Sequence, residues 1–175
     1  EFLKSFINIV KDSGVKTFIV HARKGILKGL SPRQNRNIPP LNYQKVYSLK
    51  EDFPELEIII NGGIKTISET KNHLNYVDGV MLGRAAYDDP FMLSNIDSEV
   101  FSDTKIEISR KDLLNEYLDY VHLMAKKGYD PKIMLKHIFG LKKGEKDAKR
   151  FRVKVAEIMY SSKLVENKDE LLSMV

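Results

Sequence analysis

Apolar positions recur along this chain in two rhythms, and the switch between them organises it. Phe2, Phe6, Ile7, Ile9 and Val10 follow helical spacing, with Gly14 placed to stop the helix. Lys16 to Ala22 (KTFIVHA) is a short, β-branched apolar run of the kind that fills a buried strand. Residues 43–53 read as a helix that Pro54 ends. A strand over 57–60, a helix over 66–75 and a strand over 77–82 continue the alternation, which calls for a parallel sheet. A long polar stretch, Arg23 to about Leu41, follows the first strand and is closed by Pro39-Pro40. Loops of that length are uncommon and usually functional or disordered.

Beyond Ser94 the strand rhythm disappears. Residues 95–108 form a polar, irregular connector. Ser109-x-x-Asp112 resembles a capping box, and Leu113, Leu114, Tyr117, Leu118, Val121 and Met124 continue as a helical stripe up to Gly128. Further helices are expected over 131–139 and 145–161, and a short one from Asn167-x-x-Glu170. The domain boundary therefore falls near residue 98, giving a strand–helix domain over 1–98 and an all-helical domain over 99–175. Three strands cannot close a barrel, which needs roughly 250 residues. Residues 1–98 are expected to be the last three βα units of a (β/α)8 barrel. The chain begins without Met and as if within a helix, so a fragment is expected.

Composition narrows the function classes. With 42% hydrophobic and 30% charged residues the chain is ordinary globular protein. No apolar run approaches the roughly 18 residues of a membrane span. The absence of cysteine excludes a disulfide, a cysteine–metal site and a cysteine nucleophile within these 175 residues. It fits a reducing compartment, and the cytoplasm is the default, with an organelle left open. A net charge of +5 suits an acidic partner, with nucleic acid first, although a lysine-rich coding bias gives the same figure.

The candidate chemistry sits where strands end. Asn61-Gly62-Gly63 and Gly83-Arg84-Ala85-Ala86 each follow an apolar run and precede a helix, one βα unit apart. Glycine lets backbone N–H groups approach a phosphate, and a helix N-terminus favours negative charge. Such a pair describes the phosphate site late in a (β/α)8 barrel. Arg84 adds a charge-assisted contact. His21 ends the first strand beside Arg23 and Lys24, where it is either a core histidine or a donor to an anion or electron-rich ring. His73, His122 and His137 lie on expected helices without partner spacing, so no metal site is expected. Lys28, Arg33 and Arg36 make the loop basic. Lys142, Lys143, Lys146, Lys149, Arg150, Arg152 and Lys154 make a denser run, in which Lys149 and Arg152 share a helix face. Such a run is often only a solvated face. Two of them flanking one site favour a polyanion held by its backbone.

The strings FIVHARKGILKGLSPRQNRNIPPLNY (18–43), INGGIKT (60–66) and VDGVMLGRAAYDDP (77–90) closely resemble tRNA-dihydrouridine synthase, specifically its A subfamily. The resemblance runs from about residue 2 to 160. It implies the C-terminal portion of a flavin-binding (β/α)8 TIM barrel followed by a small helical tRNA-binding domain. The implied reaction is reduction of uridine to dihydrouridine in the tRNA D-loop, with NADPH reducing FMN. It also implies that His21 contacts the flavin, that Asn61, Gly62, Gly63, Gly83 and Arg84 hold the FMN phosphate, and that Arg33, Arg36, Lys149 and Arg152 contact tRNA. The family's general acid is a cysteine in the first half of the barrel, so no catalytic residue is expected among these 175. A monomer is expected. A non-catalytic tRNA-binding fragment and a flavin barrel acting on a free pyrimidine stay open as alternatives.

Overall fold

The computed structural model describes residues 2–102, 104, 107–161 and 167–175. They divide into two compact units, one up to Gly83 and the other from Arg84.

The first unit alternates helix and strand: α1 (Phe2–Asp12), β1 (Thr17–His21), α2 (Pro32–Asn35), α3 (Tyr43–Asp52), β2 (Glu57–Asn61), α4 (Ile67–His73) and β3 (Gly79–Met81). The strands pair in parallel in the order β1-β2-β3. Register puts Thr17, Ile19 and His21 level with Glu57, Ile59 and Asn61, and Asn61 level with Met81. Side chains alternate across the sheet. Ile58 and Ile60 therefore point to one face and are fully buried with Ile7, Val46, Leu49 and Phe53. The other face carries Ile19, 60% exposed, and Met81, 45% exposed.

The N-terminal ends of the strands are tied by charge. Asp78 Oδ2 accepts from the Ile58 N–H at 2.8 Å and pairs with Lys50 Nζ at 2.8 Å. Lys50 also donates to the carbonyls of Leu56 and Pro54. Burial pushes the Asp78 carboxyl up, but the bonds from Lys50 and Ile58 outweigh it and hold the carboxyl below its ordinary value.

Under α3 and α4 lies an aromatic cluster. The Tyr47 hydroxyl and His73 Nδ1 share a hydrogen bond of 2.6 Å, Tyr43 meets the His73 ring edge-on, and Tyr47 stacks on Tyr76. His73 is thus a structural histidine, and burial lowers its pKa despite the Glu69 carboxylate.

The second unit contains α5 (Arg84–Asp88), a 3₁₀ turn over Pro90–Asn95, α6 (Ile96–Val100), α7 (Arg110–Lys126), α8 (Pro131–Leu135), a second 3₁₀ turn over Lys136–Ile138, α9 (Ala148–Ser161) and α10 (Lys168–Leu172). Its core joins Leu114, Leu118 and Val121 of α7 to Leu135, Phe151, Val155, Ile158 and Leu171. Ser109 caps α7 by accepting the Asp112 N–H, as its spacing suggests. Arg110 is a hub. Its guanidinium lies 3.9 Å from the Phe91 ring centroid, its Nε donates to the Leu141 carbonyl, and it pairs with Glu145.

These contacts put the division ahead of residue 98, where the sequence places it. Phe91 packs on the helical core, and Gly140 lies so close to Asp88 that a Cβ there would come within 2.5 Å of the Asp88 carbonyl oxygen. Residues 84–98 thus pack with the helices. Part of the connector expected to be irregular, 96–100, is helical as α6. Residues 103, 105 and 106 of that connector lie outside those described.

The lowered His73 pKa sets a pH dependence. The folded state disfavours the proton, so the contribution of His73 is fully present above the ordinary value of 6.5 and is lost as the pH falls below it. Urea unfolding followed by circular dichroism should show a falling midpoint between about pH 7.5 and about pH 5. His73→Gln should lower stability at the higher pH and flatten the slope; an unchanged slope would remove His73 as its source.

Candidate functional site

Parallel register brings the C-terminal ends of the three strands level, and His21, Asn61 and Gly62 meet there. His21 Nδ1 lies 2.7 Å from Asn61 Oδ1, and Asn61 Nδ2 donates to the Met81 carbonyl at 2.8 Å. The row His21–Asn61–Met81 thus crosses all three strands on the exposed face. Gly62 and Gly63 follow with φ of 120° and 74°, a region that side chains strain to enter.

Both glycines are also closely approached by side chains. A Cβ on Gly62 would lie 3.0 Å from His21 Cε1 and 3.2 Å from Leu41 Cδ2. One on Gly63 would lie 2.5 Å from Leu41 Cδ1. Part of the glycine requirement therefore comes from His21 and Leu41, beyond any ligand. Gly83 differs: a Cβ there would meet nothing within 4 Å, so its backbone stands in open space.

The helix following Gly63 is less available than its sequence suggests. Thr66 and Glu69 form a capping box at the start of α4. Glu69 Oε2 takes the N–H groups of Lys65 and Thr66, and Thr66 Oγ1 takes that of Glu69. The carboxylate already provides the negative charge that this end favours. Backbone at the glycines, rather than the end of α4, is the part suited to an incoming phosphate.

The long loop after β1 is ordered. Arg23 and Leu41 form an antiparallel bridge, the Asn42 N–H donates to the Ala22 carbonyl at 2.8 Å, and Arg23 donates to the Pro39 carbonyl. Within it α2 has a full capping box between Ser31 and Gln34, with Pro32 opening the helix. Asn35 closes the loop on itself through Ile26 and Leu30. Arg33 and Arg36, at this helical turn, are exposed.

Three participants escape a reading of charge and glycine. Leu41 walls the glycines. The Tyr43 hydroxyl donates to the Gly62 carbonyl at 2.9 Å and fixes the turn. Burial, then the Glu69 carboxylate, push that hydroxyl above the ordinary phenol value against the opposing Arg23. Met81 contributes only a carbonyl, which no side-chain pattern announces.

The other residues lie in the helical unit or at its start. Arg84 begins α5, next to Gly83 along the chain and in the other compact unit. Lys149 and Arg152 are exposed on α9, whose Phe151 and Val155 are buried. The rest of that basic run is not uniform: Lys142 donates to the Met174 carbonyl, and Lys154 pairs with Glu170 at 2.7 Å. His122 is half-buried and His137 packs edge-on against Tyr87. Among the described residues no acidic or histidine cluster could hold a metal, and no helix is long and apolar enough to cross a membrane.

A comparison with protein families matches residues 1–174 to a family described as Dihydrouridine synthase (Dus). The chain is similar to a tRNA-dihydrouridine(20/20a) synthase of Pseudomonas putida, 45% identical over 150 residues, covering 86% of this chain and 45% of the relative. Proteins of the same name from Pasteurella multocida and Synechocystis sp. are 41% and 42% identical, over 90% and 87% of this chain. These alignments cover 48% and 46% of those relatives, so the chain spans about half the length of the curated relatives it matches.

Both glycines can be tested without any ligand. Gly62→Ala and Gly63→Ala should each lower unfolding stability by about 1–3 kcal/mol in urea titrations, from backbone strain and crowding. Gly83→Ala, with open space and no positive φ, should change it by less than about 0.5 kcal/mol.

Proposed function

This chain belongs to the dihydrouridine synthase family, and from that premise we propose that it serves the FMN-dependent reduction of uridine to 5,6-dihydrouridine in the D-loop of tRNA, with NADPH as reductant. The strings at 18–43, 60–66 and 77–90 favour the A subfamily, and the strand–helix unit is read as part of a (β/α)8 barrel.

The observation that carries the proposal is the row His21–Asn61 with Gly62 and Gly63 at the C-terminal end of a parallel sheet. Ligands bind α/β proteins at that end of the strands. The residues suit a flavin nucleotide: an exposed imidazole for the ring system, and glycine backbone for the phosphate. Arg84 supplies the cation for the phosphate in this reading.

When bound, reduced FMN would supply the hydride for C6 of the uracil. The chain's own residues do the holding and orienting. His21 presents its ring at the strand ends. Tyr43 and Leu41 keep the Gly62–Gly63 turn in the shape that leaves its backbone approachable. Arg33 and Arg36 on the loop, with Lys149 and Arg152 on α9, are assigned to the tRNA backbone. The uracil must leave its stack to reach a flavin, and these contacts would steady the RNA meanwhile. The general acid that the resemblance implies is a cysteine, and these 175 residues contain none. Their proposed share of the work is therefore flavin and RNA contact, without the protonation of C5.

Titrating the chain into FMN should quench flavin fluorescence, and His21→Ala should weaken the binding by about tenfold or more. Failure of the unaltered chain to bind FMN would sink the flavin assignment. The double variant Lys149→Glu, Arg152→Glu should weaken tRNA binding at low salt and reduce the slope of log K against log salt by about 1–2. An unchanged slope would remove these two residues from the RNA contact.

A further inference from the structure

Asn61 has a carboxamide with two unlike ends, and the structure determines which end faces which neighbour. The Met81 carbonyl can only accept, so the group facing it at 2.8 Å is the Asn61 NH₂. Asn61 Oδ1 must then be the atom 2.7 Å from His21 Nδ1. Oxygen of an amide donates nothing, so Nδ1 carries the proton. The geometry points to Asn61 as a positioning residue that fixes the His21 tautomer as Nδ1–H and aims the opposite nitrogen, Nε2, away from the sheet.

The surroundings reinforce this assignment. Gly62 lies against the same edge of the ring, where a Cβ would come within 3.1 Å of Nδ1 and 3.0 Å of Cε1. The imidazole is therefore held by a hydrogen bond at Nδ1 and by backbone beside it. Met81 anchors the chain of bonds to β3, so the tautomer is set by register across three strands. The Asn61 carboxamide thus bonds to both neighbouring strands, through Oδ1 to His21 and through one N–H of Nδ2 to Met81.

The consequence concerns the ligand. In the neutral ring Nε2 is an acceptor, so His21 takes a hydrogen bond from an N–H or O–H of whatever it meets. That chemical restriction rests on the flavin reading only for the identity of the ligand; the tautomer is a property of the chain itself.

Long-range ¹H–¹⁵N correlation spectra of the whole chain test it, recorded at about pH 8.5. His21→Gln identifies the His21 signals among the four histidines. The unaltered chain should show His21 as Nδ1–H. Asn61→Ala should shift it to Nε2–H, the form a free imidazole prefers. Asn61→Asp, which keeps an acceptor and loses the amide donor, should retain Nδ1–H. Nε2–H in the unaltered chain, or Nδ1–H surviving in Asn61→Ala, would overturn the inference. FMN titration of the same samples separates this from the functional reading. The expected tautomer without FMN binding removes the flavin assignment alone, and FMN binding with the opposite tautomer removes the positioning role alone.

Discussion

The parallel register of β1, β2 and β3 is the constraint on which the site depends. Pairing Thr17 with Glu57 at one end brings His21 opposite Asn61 at the other, and Asn61 opposite Met81. A one-residue slip of β2 would turn Ile58 and Ile60 out of the core and carry Asn61 to the face opposite His21. Burial of those isoleucines therefore selects the arrangement that sets Asn61 against the imidazole. The Lys50–Asp78 pair acts on the same variable from the opposite end, because Asp78 also holds the Ile58 N–H. The charged tie lies at the strand starts and the His21–Asn61–Met81 row at their ends.

The second unit reaches order by other means. Its core is built from helix faces, and its helix ends are closed by short side chains such as Ser109 and Asp130. Arg110 links an aromatic ring from one segment to a carbonyl and a carboxylate of the turn before α9. It uses stacking and its planar donors together, which lysine could not do. The basic residues of this unit include some that hold the fold, such as Arg110, Lys142, Lys154 and Lys168, and others exposed on α9, such as Lys149, Arg150 and Arg152. A count of positive charges hides that division.

Much of this was legible in the sequence, for definable reasons. Strands 17–21 and 57–61 announce themselves because β-branched runs bounded by glycine or polar residues have few other uses. The α7 stripe and its Ser109 cap are strong signals at fixed spacing. The loop was harder. Ser31-x-x-Gln34 with Pro32 is a capping pattern, but only four residues long and without an apolar stripe to draw attention to it. The helix over 96–100 has no apolar stripe to announce it, because polar Asp97 and Glu99 dominate the segment. Met81 was invisible in principle, since its carbonyl acts and its side chain does not. The role of Asn61 towards His21 depends on pairing across 40 residues of chain, which no local pattern encodes.

The way the β1–α3 loop is anchored bears on how this surface can diversify. Its two ends are fastened by the Arg23–Leu41 bridge and the bond between Asn42 and Ala22, so the sheet registers only that the ends meet. Closing a loop of twice the length costs about 0.6 kcal/mol more. Residues between the anchors can be inserted, lost or recharged at little expense to the strands beneath. The loop's length and charge can then vary while the strand-end row of hydrogen bonds stays fixed.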